Sequence, residues 1–348
     1  MQTTMNAIRI RPSPPGEPPY SATNPAPASA LNLDNIPIPK PSAPGELLVK
    51  VKASTIVRDT LTWPESYRRE YITPGNDLSG TVTEIYDGSS KFKVGDEILG
   101  MLPADRPGAW AEYVIVRDDE IALKPSTLSW EEAAAMPLSA LTAFEALFVH
   151  GGVPVPSDEE ALRNSRRERA DTDEKRKVLI TGAAGAVGMY VVQLARLAGL
   201  HVTAATSSNK RNAQFLHELG ADDTIEYATF QAPGHQDTYD IVIDTVGGQP
   251  LISSWTCVKE GGALITVDSS SFDFVEEHKR QGIAREDICA LFFIVEGGPG
   301  RLEALANFAE MGLLKIFVLD VYPLQRAREA YERTSGRVEG RGKIILFI

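Results

Sequence analysis

The sequence is poor in cysteine: only Cys257 and Cys289 occur among 348 residues, far apart and without CxxC spacing. This scarcity excludes a disulfide framework and a four-cysteine zinc lobe. We expect both thiols to be buried, because a free cysteine behaves as a small apolar side chain. No apolar run approaches the roughly 20 residues that span a bilayer, which argues against a membrane protein.

An excess of basic charge is also missing, since 35 Lys and Arg oppose 47 Asp and Glu and give a net charge of -12. Nucleic-acid binding needs clustered cations to replace condensed counterions. The sequence therefore predicts a small-molecule partner, with no nucleic acid and no membrane. Neither end carries a recognisable targeting or lipidation pattern, which predicts a cytoplasmic protein.

The first third of the chain has the pattern of short β-strands, although its start is rich in proline. Runs such as ELLVKVKAS (46–54) and WAEYVIV (110–116) alternate with turn-like segments. The segment LNLDNIPIPKP (31–41) fits an edge strand, where proline is tolerated. We predict a small all-β barrel over residues 1–130.

The pattern then changes to alternating strands and helices. A capping box, Ser129 with Glu132, opens a helix, and continuous apolar strands such as KVLITG alternate with helices such as GMYVVQLARLAG. This alternation predicts an α/β domain with a doubly wound parallel sheet over residues 131–299. Within it, the highly charged residues 157–176 are predicted to be an exposed insertion that does not fold by itself. Residues 300–348 are predicted to return to the first domain.

The segment KVLITGAAGAVGMYVVQLARLAG (177–199) has the order strand, small-residue turn, helix that is typical of a dinucleotide-binding unit. Small residues let the backbone approach a pyrophosphate, and the helix N-terminus offers N–H groups to it. The strict G-x-G-x-x-G pattern has glycine where this chain has Ala183, so we expect a slightly different turn. The predicted contacts are Ala183, Ala184, Gly185, Ala186, Val187 and Gly188.

The next strand, HVTAAT (201–206), ends without the Asp or Glu that normally accepts the ribose 2′-hydroxyl of NAD. Ser207, Ser208, Lys210 and Arg211 follow, and their hydroxyls and cations suit a 2′-phosphate. The sequence therefore favours NADPH over NADH. The alternative is that the two cations are only the solvated first turn of the next helix.

Two further residues follow or end strands at the same edge of the sheet, where ligands of open α/β sheets bind. Asp244 ends the strand YDIVID, and Val267 follows GGALIT. We place both in the cofactor set. For Asp244, capping of a turn is the alternative.

Several motifs occur together and in order: ELLVKVKAS, TPGNDLSGTV, AAAMPLSALTAFEAL, LITGAAGAVG, YDIVIDTVGG and GRVEGRGKIIL. In these motifs the chain resembles the medium-chain dehydrogenase/reductase superfamily, in particular its zinc-independent quinone oxidoreductase and enoyl reductase branch. The resemblance implies an N-terminal GroES-like barrel, a Rossmann domain, a C-terminal return to the barrel, and a cleft between the domains.

The resemblance also implies roles for two residues near the cofactor. Thr142 matches a hydroxyl near the nicotinamide, and Lys343 matches a position near the cofactor phosphates. The alternatives are a bond from the Thr142 hydroxyl to its own helix and a solvated Lys343.

The same resemblance bears on metal binding. Zinc alcohol dehydrogenases of the superfamily carry a histidine in the segment matching residues 75–77 and a cysteine in the segment matching residues 55–57. This chain has neither ligand, and Asn76 with Val57 does not supply the ligand set of a catalytic zinc, so no metal is predicted. We expect Asn76 and Asp77 to hydrogen-bond the backbone, with a substrate or nicotinamide contact by Asn76 as the alternative.

Without a metal, the expected reaction is hydride transfer from NADPH to a quinone or to a conjugated C=C of an enone or enoyl compound. Enoyl reductases of the family use a tyrosine before the PGND-like turn, and here the candidates are Tyr67, which is favoured, and Tyr71. Shaping of the cleft wall by both tyrosines is the alternative. Arg58 is a further candidate for substrate contact, and a side chain that faces solvent is the alternative.

Three broader predictions complete the interpretation. The segment from Trp63 to Tyr71 is bulky, and Ile56 lies in a segment where members of this branch often have an asparagine. Both features suggest a larger substrate, such as one of a secondary-metabolite pathway. Alternative functions are a quinone reductase of broad specificity and a non-catalytic NADPH-binding protein. The apolar run ICALFFIVE (288–296) predicts a homodimer through a sheet edge.

Overall fold

The structure of the protein is a computed structural model that describes residues 2–166, 176–230, 233–334 and 340–348. The chain forms two compact units. The first consists of Met1–Leu138, Glu296–Glu310 and Ile316–Ile348, and the second of Ser139–Val295 and Met311–Lys315.

The chain up to residue 138 forms mainly strands, because apolar residues alternate or run continuously between turn residues. β1 (Thr4–Ile10) and β2 (Leu31–Pro37) form a two-stranded antiparallel sheet, so the predicted proline-containing strand is confirmed. The elements that follow are β3 (Glu46–Ile56), β4 (Asp77–Ile85), β5 (Glu97–Met101), β6 (Tyr113–Arg117), β7 (Ile121–Leu123) and the helix α1 (Trp130–Ala135).

Helix α1 begins with the predicted capping box, since the Ser129 hydroxyl accepts from the N–H of Glu132 while the Glu132 carboxylate accepts from the N–H of Ser129. The helix belongs to the first unit. Its Ala134 and Ala135 pack in one small core cluster with strand residues of that unit, Ala53 among them.

The middle of the chain forms the predicted alternation. Its elements are α2 (Pro137–Phe144), which continues as a π-helical segment (Glu145–His150), then α3 (Asp158–Ser165), β8 (Lys177–Ile180), α4 (Gly188–Leu197), β9 (His201–Thr206), α5 (Asn209–Leu219), β10 (Asp223–Glu226), β11 (Tyr239–Asp244), α6 (Gly248–Ser254), β12 (Val258–Thr266), α7 (Phe274–Arg280) and β13 (Cys289–Phe292). The six strands form a parallel sheet in the order β10-β9-β8-β11-β12-β13. The doubly wound fold is confirmed.

The last part of the chain adds α8 (Arg301–Glu310), β14 (Val318–Pro323), α9 (Ala327–Arg333) and β15 (Lys343–Phe347). β15 pairs parallel with β14 and antiparallel with β3, in a seven-stranded sheet that runs β14-β15-β3-β4-β5-β7, with β6 also paired to β3. The C-terminal return to the first domain is therefore confirmed.

The predicted insertion at residues 157–176 is partly helical. Helix α3 forms because Ser157 and Glu160 make a capping box, Ala161 is buried, and Asn164 donates a 2.8 Å hydrogen bond to the carbonyl of Leu197. These contacts supply the packing that composition alone does not predict. Residues 167–175 lie outside the described residues.

The expectation of two buried thiols is half wrong. Cys257 is buried, and burial raises its pKa to about 11. Cys289 is exposed because it begins β13, the edge strand of the parallel sheet. In the described ranges, no helix is long and apolar enough to cross a bilayer.

Candidate active site

The cofactor loop, residues 181–187, connects β8 to α4. Gly182 has a φ of 61°, a left-handed conformation that glycine adopts without steric cost. Gly182 therefore makes the turn, and the fully buried Ala183 needs no positive φ. A Cβ atom on Gly188 would lie 2.2 Å from the carbonyl oxygen of Gly182, so turn and helix pack too closely for a side chain at that position.

The cofactor loop presents backbone N–H groups at the N-terminus of α4. The Gly185 N–H donates to the carbonyl of Gly182 at 2.7 Å, whereas the N–H groups of Ala186 and Val187 have no acceptor in the described parts of the chain. Gly185 and Ala186 are exposed, and Ala184 is half-buried. Unpaired N–H groups at a helix N-terminus bind phosphate, so these residues fit the pyrophosphate of a dinucleotide.

The residues proposed for the 2′-phosphate lie together where β9 ends and α5 begins. Ser207, Lys210 and Arg211 are exposed, and Ser208 is the N-cap residue of α5. The Arg211 guanidinium donates to the Ser207 hydroxyl at 3.3 Å. Cations and hydroxyls at one helix start suit an anionic group, and the contact of this set with a 2′-phosphate stays a prediction.

Asp244 joins the carboxyl ends of three neighbouring strands. Its carboxylate accepts from the hydroxyls of Thr181 at 2.5 Å and Thr266 at 2.8 Å, and from the N–H of Gly247 at 2.9 Å. Burial raises the pKa of Asp244, and these hydrogen bonds oppose that shift. The side chain is fully buried, so the geometry matches the turn-capping alternative rather than a ribose contact. The Val267 N–H donates to the carbonyl of Asp244 at 3.0 Å.

Asn76 and Asp77, the polar pair in the TPGNDLSG segment, are both buried in the first unit. The Asn76 amide donates to the carbonyl of Leu102 at 3.0 Å, as expected for a backbone-bonding role. Its Oδ1 atom has no hydrogen-bond partner among the described residues. The side chain is thus held in one orientation with an acceptor still available.

Asp77 is the centre of a buried ionic network. Its Oδ2 accepts from the Lys343 ammonium and from the Thr55 hydroxyl, both at 2.5 Å, and its Oδ1 accepts from the N–H of Leu138 at 2.6 Å. The Lys343 side chain is only 7% exposed, so its ammonium is committed to this ion pair. The sequence analysis did not anticipate the pair, and a contact of Lys343 with cofactor phosphates stays a prediction.

The two candidate tyrosines differ in how their hydroxyl groups are used. The Tyr67 hydroxyl donates to the carbonyl of Leu61 and accepts from the N–H of Ala26 at 2.8 Å. Burial raises the pKa of Tyr67. These contacts favour a structural role for Tyr67, against the preference expressed from the sequence.

Tyr71 is partly exposed and adopts a φ of 55°, a strained conformation for a tyrosine. The Arg9 guanidinium stacks 4.8 Å from its ring centroid and donates to its carbonyl at 2.7 Å. Its hydroxyl has no hydrogen-bond partner among the described residues. The Arg58 side chain is exposed, while its carbonyl accepts from the Tyr331 hydroxyl at 2.7 Å.

Thr142 is buried on α2 in the second unit. In residues 55–57 and 75–77, the two segments in which the resemblance implies zinc ligands, this chain has neither cysteine nor histidine. Within the described ranges, no group of three or more His, Cys, Asp or Glu residues could hold a metal ion.

Comparisons with known proteins agree with this geometry. Residues 43–126 match the alcohol dehydrogenase GroES-like domain, and residues 219–346 match the family described as zinc-binding dehydrogenase. A probable mitochondrial zinc-binding oxidoreductase of Arthroderma benhamiae is 34% identical over 334 residues, which cover 94% of this chain and 96% of that protein. The chain belongs to the medium-chain dehydrogenase/reductase superfamily.

Two further members of the superfamily narrow the activity. The structure of the quinone oxidoreductase from Coxiella burnetii is 27% identical, with a TM-score of 0.76 over 99% of each chain. The mitochondrial NAD(P)H oxidoreductase RTN4IP1 of Danio rerio is 24% identical over 359 residues, covering 90% of this chain and 86% of that protein. The chain thus belongs to a family of oxidoreductases that use a pyridine nucleotide.

The sequence analysis missed two residues at the carboxyl edge of the parallel sheet. The Tyr227 hydroxyl accepts from the N–H of Gly182 at 2.9 Å, and the Glu226 carboxylate accepts from the N–H of Asn209 at 2.7 Å. Glu226 is the last residue of β10, and Tyr227 directly follows it. Ligands of parallel sheets bind beyond the carboxyl ends of the strands, and this rule could have identified Glu226 and Tyr227 from the sequence.

Proposed function

We propose that the protein is a metal-free, NADPH-dependent reductase that transfers hydride to a quinone, with conjugated enones or enoyl compounds as the second substrate class. The observation that carries this proposal is the cofactor loop, whose Ala186 and Val187 N–H groups are unpaired within the described residues at the N-terminus of α4. When bound, the nicotinamide supplies the hydride. The chain's own task is to bind and orient the two reactants.

The preference for NADPH is supported by Lys210 and Arg211 beside Ser207, because cations and hydroxyls stabilise a 2′-phosphate. The last residue of β9 is Thr206, so this strand offers no carboxylate to a ribose 2′-hydroxyl.

Zinc independence is supported by the side chains at the two ligand positions. The Val57 side chain offers no donor atom, and the Asn76 amide is a poor ligand for zinc. The neighbouring carboxylate, Asp77, is occupied by Lys343. The words "zinc-binding" in the names of relatives therefore do not transfer to this chain, and its activity is expected to survive chelation.

Quinones are favoured over enones because quinone reduction needs no dedicated protein acid, whereas an enone needs a proton at carbon. Tyr67 is the acid favoured from the sequence, but its hydroxyl donates to the carbonyl of Leu61 and accepts from the N–H of Ala26. The hydroxyl of Tyr71, which has no hydrogen-bond partner within the described ranges, is the remaining tyrosine candidate for an enone reaction. Asn76 Oδ1 is the group we assign to substrate or nicotinamide contact, and the larger, pathway-specific substrate stays a prediction.

We also propose a homodimer through the segment 288–296 and a cytoplasmic location. β13 is an edge strand of the parallel sheet, and an edge of this kind is covered or pairs with another chain. Light scattering of the purified protein measures its molar mass and so tests the homodimer. Imaging of the tagged protein with organelle markers tests the cytoplasmic location, and the mitochondrial relatives make that comparison necessary.

The deciding experiment follows the absorbance of NADPH with chelator-treated enzyme and three acceptors: a quinone, a simple enone and an enoyl thioester. Turnover of the quinone supports the proposal. Turnover of the enone or thioester alone moves the assignment to double-bond reduction. Tight NADPH binding without turnover of any acceptor contradicts a reductase of these substrates and favours a non-catalytic NADPH-binding protein.

A further inference from the structure

Glu226 brings a carboxylate to the sheet edge at which β9 itself has none. Glu226 is the last residue of β10, and it is paired in register with Thr206, the last residue of β9. Its Oε1 atom accepts a 2.7 Å hydrogen bond from the N–H of Asn209, the first residue of α5. The carboxylate therefore lies at the start of α5, although its strand is one further out than the usual acidic position of NAD sites.

The neighbours of this carboxylate are the residues of the proposed cofactor site. Lys210 follows Asn209 directly in the first turn of α5. Tyr227, the residue after Glu226, accepts a 2.9 Å hydrogen bond from the N–H of Gly182 in the cofactor loop. The Glu226–Tyr227 dipeptide thus contacts the start of α5 with one residue and the cofactor loop with the other.

Two groups with hydrogen-bond acceptor atoms lie at the start of α5. Besides the Glu226 carboxylate, the buried Oδ1 atom of Asn209 has no hydrogen-bond partner in the part of the chain that the structure describes. A ribose 2′-hydroxyl can donate a hydrogen bond to an acceptor, whereas a 2′-phosphate dianion offers only acceptors and negative charge. The carboxylate favours the hydroxyl and opposes the phosphate, while Lys210 and Arg211 do the reverse.

We propose that Glu226 determines cofactor specificity by opposing the cations of α5, so that the enzyme uses NADH as well as NADPH. The preference for NADPH is then small, within about tenfold in Kd, because one like charge offsets part of the attraction of two exposed cations. The inference rests on the proposed function, since it requires a pyridine dinucleotide at the cofactor loop.

The test is calorimetric titration of the full-length protein with NADPH and with NADH at fixed ionic strength. The variant is Glu226→Gln, which removes the charge and keeps an oxygen that accepts from the Asn209 N–H. We expect the Kd for NADPH to fall about tenfold and the Kd for NADH to change by less than about twofold. The matched control is Glu218→Gln, which removes an exposed charge from the last turn of α5. This variant is expected to change neither the Kd for NADPH nor the Kd for NADH.

An unchanged ratio of the two Kd values in Glu226→Gln, with both cofactors still bound, overturns the inference and leaves Glu226 as a helix cap. If that variant does not fold, the unaltered protein decides: a Kd for NADPH within about tenfold of the Kd for NADH supports the opposed charges, and a preference for NADPH well beyond tenfold overturns them. Failure of the proposed function is distinguishable, because it appears as absent turnover of every acceptor while the Kd ratio is still measured; a protein that binds neither cofactor overturns both.

Discussion

The Asp77 carboxylate and the Lys343 ammonium form a buried ion pair, Oδ2 to Nζ 2.5 Å, between residues 266 positions apart in the sequence. Asp77 begins β4 and Lys343 begins β15, and both strands flank β3 in the seven-stranded sheet. The pair therefore joins the C-terminal segment to the barrel next to Asn76. Because both charges are out of water, each depends on the other for compensation.

Lys343→Met is expected to destabilise the protein by about 3–5 kcal/mol, because it leaves the Asp77 carboxylate buried without its counter-ion. Chemical denaturation measures the change. The double variant Asp77→Asn with Lys343→Met should recover part of the loss, since neither charge then remains. Arg326→Ala breaks the exposed pair with Glu329 and serves as the control, with an expected loss of about 0–1 kcal/mol. A loss no larger for Lys343→Met than for the control contradicts a buried pair.

Local patterns in the sequence predict most of the fold. The edge strand β2, the capping box of Ser129 and Glu132, and the alternation from β8 onward each depend on neighbouring residues, so sequence spacing reveals them. Cys289 is exposed because β13 is an edge strand. The sequence pattern already placed residues 288–296 at a sheet edge, and the burial of Cys289 was misjudged because the apolar character of a thiol was given more weight than that edge position.

The candidate site was predicted less completely than the fold. The strand, turn and helix of the cofactor loop were identified from the sequence. Gly182 was not named as the glycine that makes the turn, because its φ of 61° is not visible in a spacing pattern. Lys343 pairs with Asp77, which is far away in the sequence. The Tyr67 hydroxyl bonds to two backbone groups, and residue type does not reveal such partners. Residue type alone therefore suggested more available groups than the folded chain retains.

Tyr67→Phe is expected to lower stability rather than activity. Loss of the hydroxyl leaves the N–H of Ala26 and the carbonyl of Leu61 without a partner, which costs about 1–3 kcal/mol when such groups are buried. Thermal denaturation and quinone turnover are measured on the same preparation. A fall in kcat with an unchanged midpoint would show instead that the hydroxyl takes part in the reaction.

Tyr71→Phe is the matched variant, because its hydroxyl has no partner among the described residues. We expect an unchanged stability and unchanged quinone turnover. If Tyr71 supplies the proton in enone reduction, enone kcat should fall by about 10²-fold, the lower end of the effect of a general acid. Equal enone rates in both proteins would exclude that role.

Gly188→Ala is expected to impair cofactor binding. The new Cβ would lie 2.2 Å from the Gly182 carbonyl oxygen and 2.8 Å from the Ala183 Cα, so the turn and α4 must move apart. Forced overpacking of this kind costs about 1–3 kcal/mol, and we expect the Kd for NADPH to rise by at least about tenfold. Gly234→Ala is the control, because nothing lies within 4 Å of its Cβ. Wild-type affinity in Gly188→Ala would show that this close approach does not shape the binding loop.

His278 is expected to make stability depend on pH in the acidic range. The Trp255 indole N–H donates to His278 Nδ1 at 2.7 Å, so the neutral ring accepts at Nδ1. Burial lowers the pKa of His278 below the value of about 6.5 that the unfolded chain has. As the pH falls below about 6.5, the unfolded state binds a proton that the folded state resists, so the free energy of unfolding decreases.

The measurement is chemical denaturation of the wild type and of His278→Gln across the range from neutral to mildly acidic pH. The glutamine carbonyl can still accept from Trp255 but does not titrate in this range, so the variant should lose less stability on acidification than the wild type. His235→Gln, at a half-buried histidine that pairs with the Tyr239 hydroxyl, is the comparison. If the wild type and His278→Gln lose stability in parallel, the acid sensitivity arises from other groups, since a neutral, buried His278 requires the two curves to diverge as the pH falls.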